Sequence, residues 1–282
     1  MRPASRNRRF AHTTTGYTGD DGVTVTGGGA LMPQWLEAGL WGLLGGGALV
    51  LGAAIAWRVP VSQGVVAGIM AFGAGVLISA LAFDLVDEAE RSGGLLPTAL
   101  GFLGGAGVYV VANVLLAHRG ARHRKRSGDQ QAAEAKTQGS GAAIAVGALL
   151  DGVPESVVLG LSLLGGGGIG VAVLVAVFIS NVPEGLSSAA GMKRAGRTAR
   201  YVFGVWGGIA LASGLAALLG NLLLRDASPA TIAVITAVAA GAILTMIADT
   251  MIPEAFERSG VYTGLIATIG FLTAFTVERL GG

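Results

Sequence analysis

From Trp35 onward the chain alternates long apolar runs with short polar breaks. Each run is about 20 residues, the length of helix that crosses about 30 Å of hydrocarbon. Eight are visible, over 35–57, 64–86, 95–117, 141–164, 169–192, 201–224, 229–251 and 261–277. The pattern predicts an all-α polytopic membrane protein with eight transmembrane helices. The first thirty or so residues break it: they are polar, Gly- and Thr-rich, and read as a disordered tail over 1–33. No apolar stretch of 7–15 residues follows its basic start, so it is not a signal peptide, and Met32 is a second candidate start. The one long polar connection, over 118–139, is expected to be a mobile basic loop dividing the spans into three (34–117) and five (140–282). Its Arg122-His123-Arg124-Lys125-Arg126 run reads as a positive anchor beside anionic lipid rather than a nucleic-acid patch.

Composition agrees. Of 282 residues, 52% are hydrophobic and 13% charged, about half the charge density of a soluble domain, which excludes a water-soluble globule. The absence of Cys removes thiolate metal sites and thiol nucleophiles. The 48 Gly fall largely inside apolar runs, as in Gly45-Gly46-Gly47 and Gly207-Gly208, so they read as close helix packing and not as phosphate loops. Orientation follows from Lys and Arg in the loops. With the N-terminus outside, twelve lie on the cytoplasmic side (Arg58; six over 119–136; Lys193, Arg194, Arg197, Arg200; Arg258) and three outside (Arg91, Arg225, Arg279). Both termini are therefore expected outside a cell membrane.

Two internal echoes stand out. Gly152-Val153-Pro154-Glu155-Ser156 is echoed 29 residues on by Asn181-Val182-Pro183-Glu184-Gly185. The two copies sit on spans joined by a short Gly-rich turn, so the spans run antiparallel and both Glu fall in the middle of the bilayer. The second echo pairs DLVDEAERSG from Asp84 with DTMIPEAFERSG from Asp249, ending span two outside and span seven inside. Repeats of opposite topology are the signature of an inverted-repeat transporter with its site near the midplane.

The polar residues within the spans carry the candidate chemistry. Asp151 and Glu155 are spaced i, i+4 and Asn181 and Glu184 i, i+3, so each pair shares a helix face. Ionisable groups at that depth are costly and mark ion or proton paths. With no Lys, Arg or His in the centre of any span, a bound cation or shared protons are the candidate partners. Pro154 and Pro183 free the carbonyls of Leu150 and Ile179, and Ser180 adds a hydroxyl. Asp84 and Asp249 are either pathway carboxylates on the two sides or side chains reaching the interface, as Asp87, Glu88, Glu254 and Glu257 are expected to do. His12, His118 and His123 lie in the tail or loop and read as solvated.

Leu150–Ser156 (LDGVPES) and Ser180–Leu186 (SNVPEGL) resemble the Pro-Glu motifs of the fourth and fifth helices of ZIP (Zrt/Irt-like) divalent-metal transporters, most nearly the bacterial GufA-like branch. MIPEAFERSG, ending span seven, is similar to that family's Pro-Glu-Ala helix end. The resemblance covers roughly 35–280 and implies a 3+2+3 bundle with inverted repeats. It implies transport of a divalent cation by alternating access, with one bundle moving as a rigid body against another, and no enzymatic activity or cofactor. The expected partners are the metal ion, the bilayer and a second copy in a homodimer, with no nucleic acid. Its metal positions fall on Asp151 and Glu155 in span four and on Ser180, Asn181 and Glu184 in span five. Three departures matter. The family's usual His is Asp151, the following Asn is Gly152, and Ser180 replaces His, Gln or Glu. In span six the 213–217 stretch offers no Glu where some members place one, so one metal position of a pair is expected to be lost. An all-oxygen set suits Mn, Fe(II), Mg or Ca better than Zn, although carboxylates bind Zn too.

Two other functions fit parts of the sequence. A degenerate relative without transport, acting as a regulator or assembly partner, fits the missing His. An intramembrane aspartyl protease using Asp151 and Asp249 lacks the Gly-x-Gly-Asp setting, and a rhomboid-type serine protease lacks an intramembrane His.

Overall fold

Three helix starts along the chain are written in single hydroxyls. Ser62, Thr198 and Ser228 each turn a side-chain oxygen to the backbone N–H three residues on, at 3.4, 3.3 and 3.2 Å, satisfying a donor that the first helical turn leaves open. The computed structural model describes residues 32–116, 118, 140–165 and 171–281. The expected tail (save 32–33), the basic loop (save His118) and most of the Gly-rich turn lie outside the described residues.

The described elements are all helical: α1 Gln34–Arg58, α2 Gln63–Ala80, α3 Asp87–Gly93, α4 Leu95–Leu116, α5 Ser140–Ser162, α6 Val171–Arg194, α7 Ala199–Leu224, α8 Pro229–Met246, α9 Ile252–Ser259 and α10 Tyr262–Gly281. Two π-helical turns, Leu81–Val86 and Ile247–Met251, join α2 to α3 and α8 to α9, so Gln63–Gly93 and Pro229–Ser259 are each a single helix of 31 residues. Seven described helices are long and apolar enough to cross a membrane. The helix α5, 23 residues long, is not among those seven, so the described residues establish seven candidate spans and not eight.

Spans two and seven outlast their apolar runs. Expected to stop at Val86 and Met251, they continue about two turns to Gly93 and Ser259. The polar stretches that follow are good helix formers, and on the first of them Arg91 pairs with Asp87 one turn away at 2.7 Å. Each helix stops where a glycine takes positive φ, Gly94 at 82° and Gly260 at 54°. The second sequence echo thus codes the same local object twice: a π-turn holding an Asp, an acidic helical extension and a glycine stop.

The helices sort into two groups. The outer frame is α2–α3, α4, α8–α9 and α10, with α2 against α10 and α4 against α8. In nearly the register that aligns Asp84 with Asp249, Gly75 and Gly270 mark the first crossing and Gly241 and Gly105 the second. A Cβ on any of the four would stand 1.8–2.1 Å from a carbonyl oxygen of the facing helix, so these backbones touch. The inner bundle is α1, α5, α6 and α7, with α1 packed on α6 and α7, and α7 on α5. Its α1–α7 contact is also built from small residues: a Cβ on Gly42 would meet Ala217 and the Ser213 carbonyl. The inner bundle meets the frame where α6 lies on α2 and α5 on α8. Each contact in this scheme has a counterpart under exchange of the two halves.

Candidate functional site

The helix α5 runs through Pro154 and α6 through Pro183 without ending. Proline lacks the N–H its helix would use and leaves the carbonyl one turn earlier without that donor. The side chains around both prolines point inward. Asp151 and Glu155 are 2% exposed, Glu184 5%, Asn181 4% and Ser180 0%, whereas Val153 on the other side of α5 is exposed. All five predicted metal residues thus lie inside the protein.

Each is engaged differently. Asp151 Oδ1 accepts from the hydroxyl of Tyr109 on α4 at 2.5 Å. Asn181 Nδ2 donates to the Gly45 carbonyl on α1 at 3.0 Å, which leaves its Oδ1 for an acceptor role. Ser180 spends its proton on the Val177 carbonyl one turn back at 3.0 Å, leaving an oxygen lone pair. Ser156 does the same with the Gly152 carbonyl at 2.7 Å. Glu155 faces α6 across a narrow crevice with Val173 and Val177 and with Leu77 and Leu81 of the frame. Among the described residues no three His, Cys, Asp or Glu side chains are gathered closely enough to hold one metal ion. A cation here would draw on Ser180, Asn181 or backbone oxygens beside the carboxylates.

A cavity of about 570 Å³ opens beside the site. It lies between the first π-turn with α3, the end of α5, Val173 of α6 and the start of α8; Asp84, Asp87, Glu88 and Arg91 line it from the π-turn and α3, with Arg91 paired to Asp87, and Ser162 and Thr236 line it from α5 and α8. Leu85, Val158 and Val173 line both this cavity and the Glu155 crevice, so the space leads towards the buried carboxylates. Asp84 also borders a second small crevice, where it is hydrogen-bonded to Glu278 of α10.

On the other side of the site the surroundings are closed. Ser187 and Ser188 are fully buried on α6, one turn beyond Glu184. Ser187 donates to Glu254 Oε1, and Glu254 is only 6% exposed. This corrects the expectation that Glu254 reaches the interface: it lies at the start of α9, where that helix turns its first acidic residue against α6. Its counterpart Glu88 is exposed in the cavity wall. Of the two pathway candidates, Asp84 lines the cavity and Asp249 is exposed. His118, the one described histidine, is exposed as expected.

The sequence reading missed Tyr109, Ser187 and Glu278. Tyr109 is a lone hydroxyl in an apolar run, and its partner is 42 residues away on another helix. For Ser187 a signal did exist, since Ser180, Glu184 and Ser187 form an i, i+4, i+7 polar stripe. No protein-family model matches the chain, and no curated protein matches it.

Proposed function

We propose that this protein is a membrane transporter of divalent metal cations, built on a ZIP-like plan with α5 as an eighth span and both termini outside. A first-row metal ion enters through the cavity beside α3, is held at mid-membrane by one or two of the carboxylates Asp151, Glu155 and Glu184 together with Ser180, Asn181 or backbone oxygens, and leaves past Ser187 and Glu254 when the inner bundle shifts against the frame. The observation that carries this reading is the burial of three carboxylates on two proline-containing helices, one of them, Glu155, in a crevice that shares Leu85, Val158 and Val173 with the large cavity. Buried acids of that kind are kept where an ion or proton must pass. An oxygen-rich set favours Mn or Fe(II), with Zn accepted through carboxylates.

Uptake by purified protein in liposomes, ranked across Zn, Mn, Fe, Cd and Mg, tests it. Glu155→Ala and Glu184→Ala should each lower the initial rate at least about tenfold, as removal of a principal ligand does. Rates indistinguishable from protein-free liposomes for the wild type would sink the reading. A second reading, a ZIP-like membrane protein that no longer transports and serves as a regulator or assembly partner, is favoured by one observation, that no three acidic or imidazole side chains are gathered for one ion among the described residues. The same assay decides between them.

A further inference from the structure

We propose that Tyr109 is the positioning residue of the cation site and that it ties the site's affinity to the register of the two helix groups. The inference rests on the transport reading above. Most of α4 faces outward: Leu95, Leu100, Leu103, Val111 and Leu115 are exposed. Tyr109 turns the other way, is fully buried, and gives its hydroxyl proton to Asp151 Oδ1. A buried phenol needs an acceptor, and the carboxylate that supplies it is held in one orientation. A donor of this kind behind a carboxylate ligand occupies one lone pair and fixes the direction in which the others point.

What sets Tyr109 apart is where it comes from. Asn181 and Asn221 donate to carbonyls inside the inner bundle, at Gly45 and Gly160, and would travel with it. Tyr109 stands on the frame and Asp151 on the inner bundle. A slide of one helical turn, about 5.4 Å, exceeds the reach of any hydrogen bond. Asp151 is therefore oriented for binding in the present arrangement and released from that orientation when α5 moves along α4. The cation is held tightly in one state and loosely in the other. That differential affinity is what coupling an ion to a conformational step requires.

The test uses the full chain. Mn(II) and Zn(II) binding is measured for wild type, Tyr109→Phe, Asp151→Asn and the double variant, alongside uptake in liposomes. Tyr109→Phe keeps the ring and is expected to weaken binding about 10- to 100-fold. It should raise KM without lowering the maximal rate, because release no longer has to break the bond. Asp151→Asn and the double variant should bind equally weakly, since Tyr109 acts through Asp151. A measurement on the wild type needs no substitution: adding the cation should shift the ultraviolet absorption of a tyrosine. Wild-type affinity in Tyr109→Phe, losses that multiply in the double variant, a lower maximal rate at unchanged KM, or an unshifted spectrum would each overturn the proposal. A wild type that binds neither ion overturns the transport reading along with it.

Discussion

Ser187 shows how much one hydroxyl can hold. Its bond to Glu254 joins α6 of the inner bundle to α9 of the frame on the closed side of the site. A hydrogen bond to a charged partner contributes about 1.5–3 kcal/mol, and removing the donor adds the cost of a less satisfied buried oxygen. Ser187→Ala should therefore lower the thermal midpoint of the detergent-solubilised protein. It should also raise the proton or cation leak of loaded liposomes, because the closed side loses a tie. An unchanged midpoint would mean that other partners hold Glu254 in place. The carboxylates themselves were legible in the sequence from spacing and depth alone, since an acidic residue in the middle of an apolar run has few tolerable places to point. Their hydroxyl partners were not. Ser and Tyr are cheap enough in a membrane helix to be common, so a single one says nothing until the facing helix is known.

At the scale of elements, the apolar runs fixed the described helices well, while polar extensions and π-turns escaped them. Hydropathy reads solvent preference, whereas α3 and α9 are helices because of capping, charge pairing and glycine stops, which a hydropathy run does not register. The π-turns at Asp84 and Asp249 leave no mark of their own in the sequence; only the echo between the two stretches shows that the place matters. An extra residue in the turn swings the following side chains around the helix, and such turns recur at functional sites. The two frame crossings permit a sharper statement. Gly75→Val puts branched carbon into the Ala267 carbonyl. Overpacking costs about 1–3 kcal/mol where neighbours can shift and more where they are backbone. The variant should lose its sharp thermal transition, whereas Gly104→Val, with open space at its Cβ, should keep it. Equal melting of the two would show that α2 and α10 are not in backbone contact.

For the molecule as a whole, the telling fact is that its halves match in sequence and packing but not in exposure. Glu88 stands in an open cavity while its counterpart Glu254 is buried. On the transport reading proposed above, a second arrangement exchanges these roles through equivalent contacts. With no Cys to remove, the chain is ready for single-cysteine labelling. Ser162→Cys, in the cavity wall, should react with a membrane-impermeant thiol reagent from the side on which that cavity opens, and Ser187→Cys should not. Cation turnover should slow the first and expose the second to reagent from the opposite side. If both react at the same rate from one side, with or without cation, the two-state account is lost.

Gly75, Gly105, Gly241 and Gly270 also bear on how this gene can drift. Each faces a carbonyl oxygen where even a methyl group has no room, and lipid tails offer no hydrophobic gain to offset a widened gap. A library of random variants selected for function should keep glycine at all four sites, while the lipid-facing leucines of α4 are freely exchanged for other aliphatic residues. Tolerance to substitution would then trace the helix crossings of the protein, those of Gly52, Gly160 and Gly185 in the inner bundle included.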